Sequence, residues 1–171
     1  FGAWGRFSKP QRVPRKDKSN YKNLALLPDA VANASSVLSG YSIHQIAHLN
    51  DGLYNNQNSW ISNGEPSWAE IDLGDIYNVS RVVFGSEHAG NYDDRSATEF
   101  QILISTDYES WNCVYEYCGD PVHRTTSFVF EPTKARWVRI NIDKSLNGNV
   151  RIDEIEIYGD MKTDEIEEIT E

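Results

Sequence analysis

The run SWAEIDLG, residues 67–74, decides the fold. Ala69, Ile71 and Leu73 fall on one side of an extended chain, and Trp68, Glu70 and Asp72 on the other. Successive side chains of a strand point to opposite faces, so this alternation marks a half-buried strand. The same rhythm recurs downstream. RVVFGS puts Val82 and Phe84 on one side, and TEFQILIST does so with Phe100, Ile102 and Ile104. SFVFEP pairs Phe128 with Phe130, and ARWVRINID sets Val138, Ile140 and Ile142 against Trp137, Arg139 and Asn141. RIDEIEIYG turns Ile155 and Ile157 inward and Glu154 and Glu156 outward. About eight such runs, separated by turn residues and without a long helical period, predict an all-β antiparallel sandwich or jelly roll. HQIAHLNDG and the acidic end are expected to form single helical turns at most.

The chain has 171 residues, enough to bury a core without disulfide staples. Its net charge of −10 argues against general affinity for nucleic acid or anionic membranes. That charge is uneven. Residues 1–22 carry Arg6, Lys9, Arg12, Arg15, Lys16, Lys18 and Lys22 against Asp17 alone, in a Pro-bearing polar stretch that reads as a linker or interaction arm. Trp4 and Phe7 within it are expected either to dock on the domain or to belong to a preceding segment. Residues 161–171 read as an acidic tail or linker, leaving 23–160 as the domain. The absence of Met at Phe1 points to a processed form or an excised piece, so export stays open. No apolar run approaches the roughly 20 residues of a membrane span. Cys113 and Cys118 lie five apart on one predicted strand, on opposite faces, and are expected as free, half-buried thiols.

The segments NLALLPDAVANASS, AHLNDGLYNNQNSW, SWAEIDLGDIYNVSRVVFG, TEFQILISTDYESW, ARWVRINID and RIDEIEIYG, in that order, resemble the coagulation-factor type C, or discoidin, domain family. Within it they are more similar to bacterial carbohydrate-binding modules of family 32. The resemblance covers roughly Asn23 to Gly159. It implies an eight-stranded, galactose-binding-domain-like jelly roll that binds ligands through loops at one end, in many bacterial members with a structural calcium. Animal members usually tie their ends with a disulfide, and no cysteine lies near residue 23 or 159. That departure favours the bacterial kind.

Calcium takes six to eight oxygens, and residues 49–59 are rich in them. On the family pattern Asp51 and Glu154 would give carboxylates, Asn58 an amide oxygen in place of a hydroxyl, and Leu49 and Leu53 backbone carbonyls. Gly52 would let the chain turn sharply. Read without the resemblance, Asp51-Gly52 is equally a plain turn and Asn55–Asn58 a polar loop.

Sugar recognition needs a flat aromatic face and planar polar groups for pairs of hydroxyls. The loop SEHAGNYDDRS concentrates Glu87, His88, Asn91, Tyr92, Asp93, Asp94 and Arg95. The resemblance puts His88 near a family Arg and Asp93 near a family Asn, with Arg95 as a substitute for the former. Tyr41 and His44 before the calcium turn, Trp60 just after it, and Asn147 in SLNGNV complete the expected ligand set. Each has a plainer reading: Tyr92 packed on its own loop, Asp93 to Arg95 as a surface ion pair, the histidines as ordinary surface groups. Trp60, Trp68, Trp111 and Trp137 are mostly expected to cover the core at strand ends.

Signs of catalysis are missing. Asp93 and Asp94 are adjacent, not opposed across a cleft as a glycosidase needs. There is no G-x-S-x-G elbow, zinc spacing or phosphate-cradling loop, and nothing local supports a dyad of Cys113 with a histidine. The sequence therefore predicts a non-catalytic, calcium-stabilised module that binds a polysaccharide or glycan outside the cell, beside other domains of one polypeptide. The alternatives are an adhesion or protein-interaction domain, or an oligomerising accessory domain of an enzyme.

Overall fold

A computed structural model describes residues 22–88 and 91–160. The expectations for Trp4, Phe7, the basic leader and the acidic tail lie outside them. Eight strands follow in chain order: β1 (Val31–Ala34), β2 (Trp60–Ile61), β3 (Ser67–Phe84), β4 (Ala97–Ser105), β5 (Asn112–Val122), β6 (Thr126–Ser145), β7 (Arg151–Ile152) and β8 (Glu156–Asp160). The pairings are antiparallel, in the order β1-β3-β6-β4-β5, with β8 on β3 and a separate pair β2-β7. HQIAHLNDG contributes one 3₁₀ turn, Ile46–Asn50.

Two long strands make this a sandwich. β3 slips register between Asp72 and Tyr77 and again between Val79 and Arg81. Such irregularities bend a strand. The first part of β3 lies between β1 and the second part of β6. The later part lies between β8 and the first part of β6. One chain segment thus serves both layers of an antiparallel jelly-roll β-sandwich.

The alternating residues meet in between. Ala69, Ile71, Leu73, Val82, Phe84, Phe100, Ile102, Ile104, Val138, Ile140, Ile142, Ile155 and Ile157 are all buried. Phe84, Phe100 and Phe128 form a triangle of rings with centroids 5.0–5.2 Å apart, edge-on or tilted as aromatic quadrupoles prefer. Phe130 is only half-buried at the edge of this core. Cys113 and Cys118 are free as expected, but exposed rather than half-buried, because β5 is an edge strand. Glu154 corrects the strand reading. It precedes β8 and is buried, because its carboxylate turns under the residue 51–53 loop instead of outward.

Candidate functional site

At one end of the sandwich the connections are bonded to each other, not only to their own strands. Glu87 N–H donates to His123 O (2.8 Å), Leu146 N–H to Ser96 O (3.1 Å), Arg151 N–H to Arg95 O (2.9 Å) and Asp153 N–H to Gly85 O (3.1 Å). Gly85 is required for this closeness: a Cβ there would stand 2.5 Å from the Arg124 backbone. Below, Ser86, Ser96 and His123 form a side-chain chain with contacts of 2.7 and 2.6 Å. The tip is therefore a fixed platform, of the kind that holds binding groups in place.

A buried ion cluster lies under that platform. Arg151 donates from Nε to Asp153 Oδ1 (2.9 Å) and from Nη1 to Glu87 Oε2 (3.2 Å), and all three residues are buried. Its Nη2 lies 2.8 Å from the same Asp153 oxygen as an ion-pair contact, yet makes no hydrogen bond to the protein. Arg95 Nε is also buried without a protein acceptor, although Nη1 of the same side chain reaches Asp94 at 3.0 Å. Unsatisfied buried donors are rare and call for an explanation.

His44 supplies the opposite polarity. It is buried, and burial first, then the charges of Arg151, Arg95 and His48, hold its pKa below the ordinary histidine value. The ring is therefore neutral at pH 7. Ser59 Oγ donates to Asn56 O, so it receives the proton of His44 Nδ1 at 3.0 Å. That tautomer leaves Nε2 as an acceptor. Two rings flank the group. Tyr41 lies 5.8 Å from His44, and the Tyr92 ring 6.0 Å from the Arg151 guanidinium; these tyrosines are 56% and 55% exposed.

The structure thus gathers Tyr41, His44, Tyr92 and Arg95, with Asn147 exposed beside the Leu146–Ser96 bond. Asp93 is exposed next to them, and the ion pair anticipated there forms between Asp94 and Arg95. Trp60 is a correction. It is fully buried and its Nε1 donates to Ser36 O at 2.8 Å, so no ring face remains for a ligand. The His88 ring lies 4.5 Å from Tyr54 with its Nδ1 bonded to Thr125 at 2.9 Å, and its backbone N–H donates to Asp153 Oδ2 at 3.0 Å. Arg151 and Asp153 were missed, and Glu87 was noted only as one of the polar residues of its loop. Their signal was Arg151 and Asp153 sharing the inward parity of Ile155 and Ile157, which places a charged pair on the core side of the chain.

The oxygen-rich loop adjoins this tip. Asp51 Oδ1 accepts from Leu53 N–H (2.8 Å), its Oδ2 contacts His48 Nδ1 (2.6 Å), and Gly52 adopts φ +78°. Gly52 N–H donates to Glu154 Oε2 (2.8 Å), while the buried Oε1 has no partner. Burial, reinforced by the nearby Asp51 charge, pushes Glu154 up to about 9. Leu49 O already accepts from Ile155 N–H at 2.7 Å but keeps a second lone pair. Asn58 uses its Nδ2 on Asn55, leaving its amide oxygen as an acceptor. Leu53 is exposed and contributes its N–H to the turn. Among the described residues no group of three or more His, Cys, Asp or Glu gathers as a metal cluster. The oxygen set around two carboxylates, one atom of which is buried and unpartnered, nevertheless fits a hard cation.

A bonded loop tip on an eight-stranded jelly roll defines a class of ligand-binding sandwich domains. The F5/8 type C domain is matched over residues 31–156, and the chain belongs to that family. Among solved structures it is similar to CpGH89CBM32-5 of Clostridium perfringens, solved with GalNAc-β-1,3-galactose (17% identity, TM-score 0.72, 81% of this chain and 100% of that one). It is also similar to chitosan-binding module 2 of a Paenibacillus sp. IK-5 chitosanase/glucanase, solved with chitotriose (28%, 0.65, 80% and 100%). A third is the whole CpGH89 of Clostridium perfringens, solved with GlcNAc-α-1,4-galactose (21%, 0.66, 80% of this chain but 14% of that one). Comparison with curated proteins finds no match.

Proposed function

We propose that this domain is a non-catalytic carbohydrate-binding module that holds one or two sugar units at the tip formed by Tyr41, His44, Tyr92, Arg95 and Arg151, with Asp93 and Asn147 at its rim. The observation that carries this reading is the part-exposed Arg95, whose Nε makes no hydrogen bond within the protein, beside a neutral His44 and the exposed rings of Tyr41 and Tyr92. Donors and an acceptor side by side suit vicinal hydroxyls, and the exposed faces of Tyr41 and Tyr92 suit the C–H face of a pyranose. Glu87 and Asp153 are committed to Arg151, so neither stands as a free acid for glycoside cleavage. Sugars in the solved relatives support the ligand class.

Calcium belongs to the same reading. Asp51 and Glu154 would hold it, with the Leu49 and Leu53 carbonyls and the Asn58 amide, and its chemistry there is charge neutralisation that pins the loop to the segment entering β8. The short span of CpGH89 covered by this chain supports an accessory role beside a catalytic domain, in a bacterial protein working outside the cell. Among the described residues no helix is long and apolar enough to cross a membrane.

Titrating the chain by NMR with galactose, GalNAc-β-1,3-galactose and a glucosamine trimer tests the tip. Expected dissociation constants are on the order of 0.1–1 mM, since a shallow tip covers few ligand atoms. Arg95→Met weakens binding about tenfold or more with an unchanged melting temperature, and His88→Ala leaves it intact. Arg95→Met binding like the parent overturns the assignment.

A further inference from the structure

The outer face of the large sheet carries a second cleft that shares no residue with the tip. Its volume is about 760 Å³, and Val31, Asn33, Glu70, Asp72, Asp107, Tyr108 and Trp137 are among its lining. That size suits a small ligand. Strand register explains the gathering. Val31, Asp72 and Trp137 stand in one row across β1, β3 and β6, and Asn33, Glu70 and Arg139 in the next but one. The residues between, such as Ile71 and Val138, face the core.

The walls are held before any ligand arrives. Glu70 accepts from Arg139 Nε (2.8 Å) and from the Tyr108 hydroxyl (3.0 Å). Arg139 lies flat between Trp68 and Trp111, 4.3 Å from each ring. Asp72 takes two bonds from Arg136 (2.8 and 3.0 Å), which itself lies 4.4 Å over Trp137. Tyr108 packs at 5.5 and 5.3 Å on Trp111 and Trp137 and remains 43% exposed.

The polarity of the cleft is one-sided. No Lys or Arg is among its lining residues; Arg136 and Arg139 flank it, paired with Asp72 and Glu70. Asp107 is exposed, and its Oδ1 alone receives Ser105 Oγ, Glu109 N–H and Ser110 N–H. Those bonds fix the turn through Oδ1 and leave Oδ2 outside them, in a cleft that Tyr108 and Trp137 also line. We propose that this cleft is a second glycan site, selective for an amino sugar: the pyranose face stacks on Tyr108 and Trp137, and its free ammonium group meets Asp107. It shares with the tip the premise that the domain binds glycans, and none of its residues. Where the tip offers donors to hydroxyls, the cleft offers acceptors to a cation.

NMR shift mapping on the full chain, with a β-1,4-linked glucosamine trimer and its N-acetylated counterpart as probes, tests this. At about pH 6 the glucosamine trimer is expected to move the amides of Asn33, Asp107 and Tyr108 and the Trp137 indole. It does so equally in a Tyr92→Ala/Arg95→Met double variant, whose tip is disabled. Asp107→Asn keeps the Oδ1 acceptor of the turn, and weakens the cleft titration about fivefold. The N-acetylated trimer, lacking the charge, binds about tenfold less tightly there. Shifts confined to tip residues, an unchanged affinity in Asp107→Asn, equal binding of the acetylated probe, or stronger binding of a lysine-rich peptide would each overturn the proposal. Cleft shifts without tip shifts would remove the tip reading and leave this one standing.

Discussion

The tip and the outer sheet face use the same materials, two guanidiniums with carboxylates and rings, to opposite effect. At the tip Arg151 is shut between buried Glu87 and Asp153, while Arg95 keeps a buried Nε that makes no hydrogen bond within the protein. On the sheet face Arg136 and Arg139 lie on tryptophan rings and saturate Asp72 and Glu70. An arginine is a brace where its donors are satisfied and a recognition group where they are not. Composition is the same in both places; burial and the number of acceptors within reach decide which it becomes.

The largest effect expected from this contrast is at Arg151. Arg151→Met leaves two buried carboxylates facing each other without a counter-ion, a change that destabilises by about 3–5 kcal/mol. Urea unfolding measures it. Converting the partners as well, in Glu87→Gln/Arg151→Met/Asp153→Asn, restores part of the loss, because no charge is then stranded. If Arg151→Met unfolds at the same urea concentration as the parent, the platform does not depend on its ion cluster.

Next in size is the cation beside the tip. With calcium bound, chelation lowers stability by about 2–4 kcal/mol through mass action on the folded state. Calorimetry with and without EDTA reads the shift. Glu154→Gln abolishes that sensitivity, whereas Asp107→Asn on the sheet face keeps it. A melting curve indifferent to EDTA removes calcium from the account and leaves Asp51-Gly52 as a turn.

Acidity separates the two regions further. The folded His44 pKa is depressed, so below the unfolded value of about 6.5 the unfolded chain takes up a proton that the folded chain refuses. Stability from this group is complete above about 6.5 and declines as pH falls toward the folded value. Once His44 is protonated, Nε2 becomes a donor, and binding of a neutral sugar at the tip fades over the same interval. Asp107 behaves differently. Backbone N–H bonds from Ser110 and Glu109 hold it below the usual carboxylate range, so the sheet face keeps its charge. Neutral-sugar binding that persists unchanged after NMR shows the His44 ring itself to be protonated would show that His44 takes no part.

How much of this was legible in the sequence follows from what alternation can and cannot encode. Ala69-Ile71-Leu73 and Val138-Ile140-Ile142 revealed their buried faces because a period of two has one physical cause. The register slips within β3 left no such trace, so one 18-residue strand serving both layers was not visible. Asp51-Gly52 was readable as a turn, since a positive φ favours glycine. Arg151 and Asp153 share the inward parity of Ile155 and Ile157, but alternation does not say what would neutralise charges on that side. Asp153 is a near neighbour in sequence, but the second carboxylate on the buried Arg151, Glu87, lies 64 residues away, a pairing no spacing predicts. Trp60 misled for a related reason: nearness to a loop in sequence says nothing of which way a ring turns. His88 and Arg95 lie in one loop, and which of them meets His44 depends on a backbone bond from Arg151 to Arg95 that no spacing predicts.

The smallest expected effect tests whether the sheet-face ion pairs are braces at all. Asp72 and Arg136 keep 28% and 38% of their side chains in solvent, so their doubly bonded pair is screened. Burial works against the Asp72 charge, yet the bonds from Arg136 and Gly74 N–H outweigh it and hold the carboxyl below its ordinary value. A depressed carboxylate contributes stability above its unfolded pKa of about 3.9, and loses it as pH falls through the folded value. Arg136→Met should therefore cost the least of these changes at neutral pH, read as the shift in urea midpoint. The deficit should vanish in strong acid, where the parent has lost the pair as well. A loss comparable to that of Arg151→Met would mean that Arg136 stabilises mainly by covering Trp137. The two regions would then differ in what they present to a ligand, but not in how they are held.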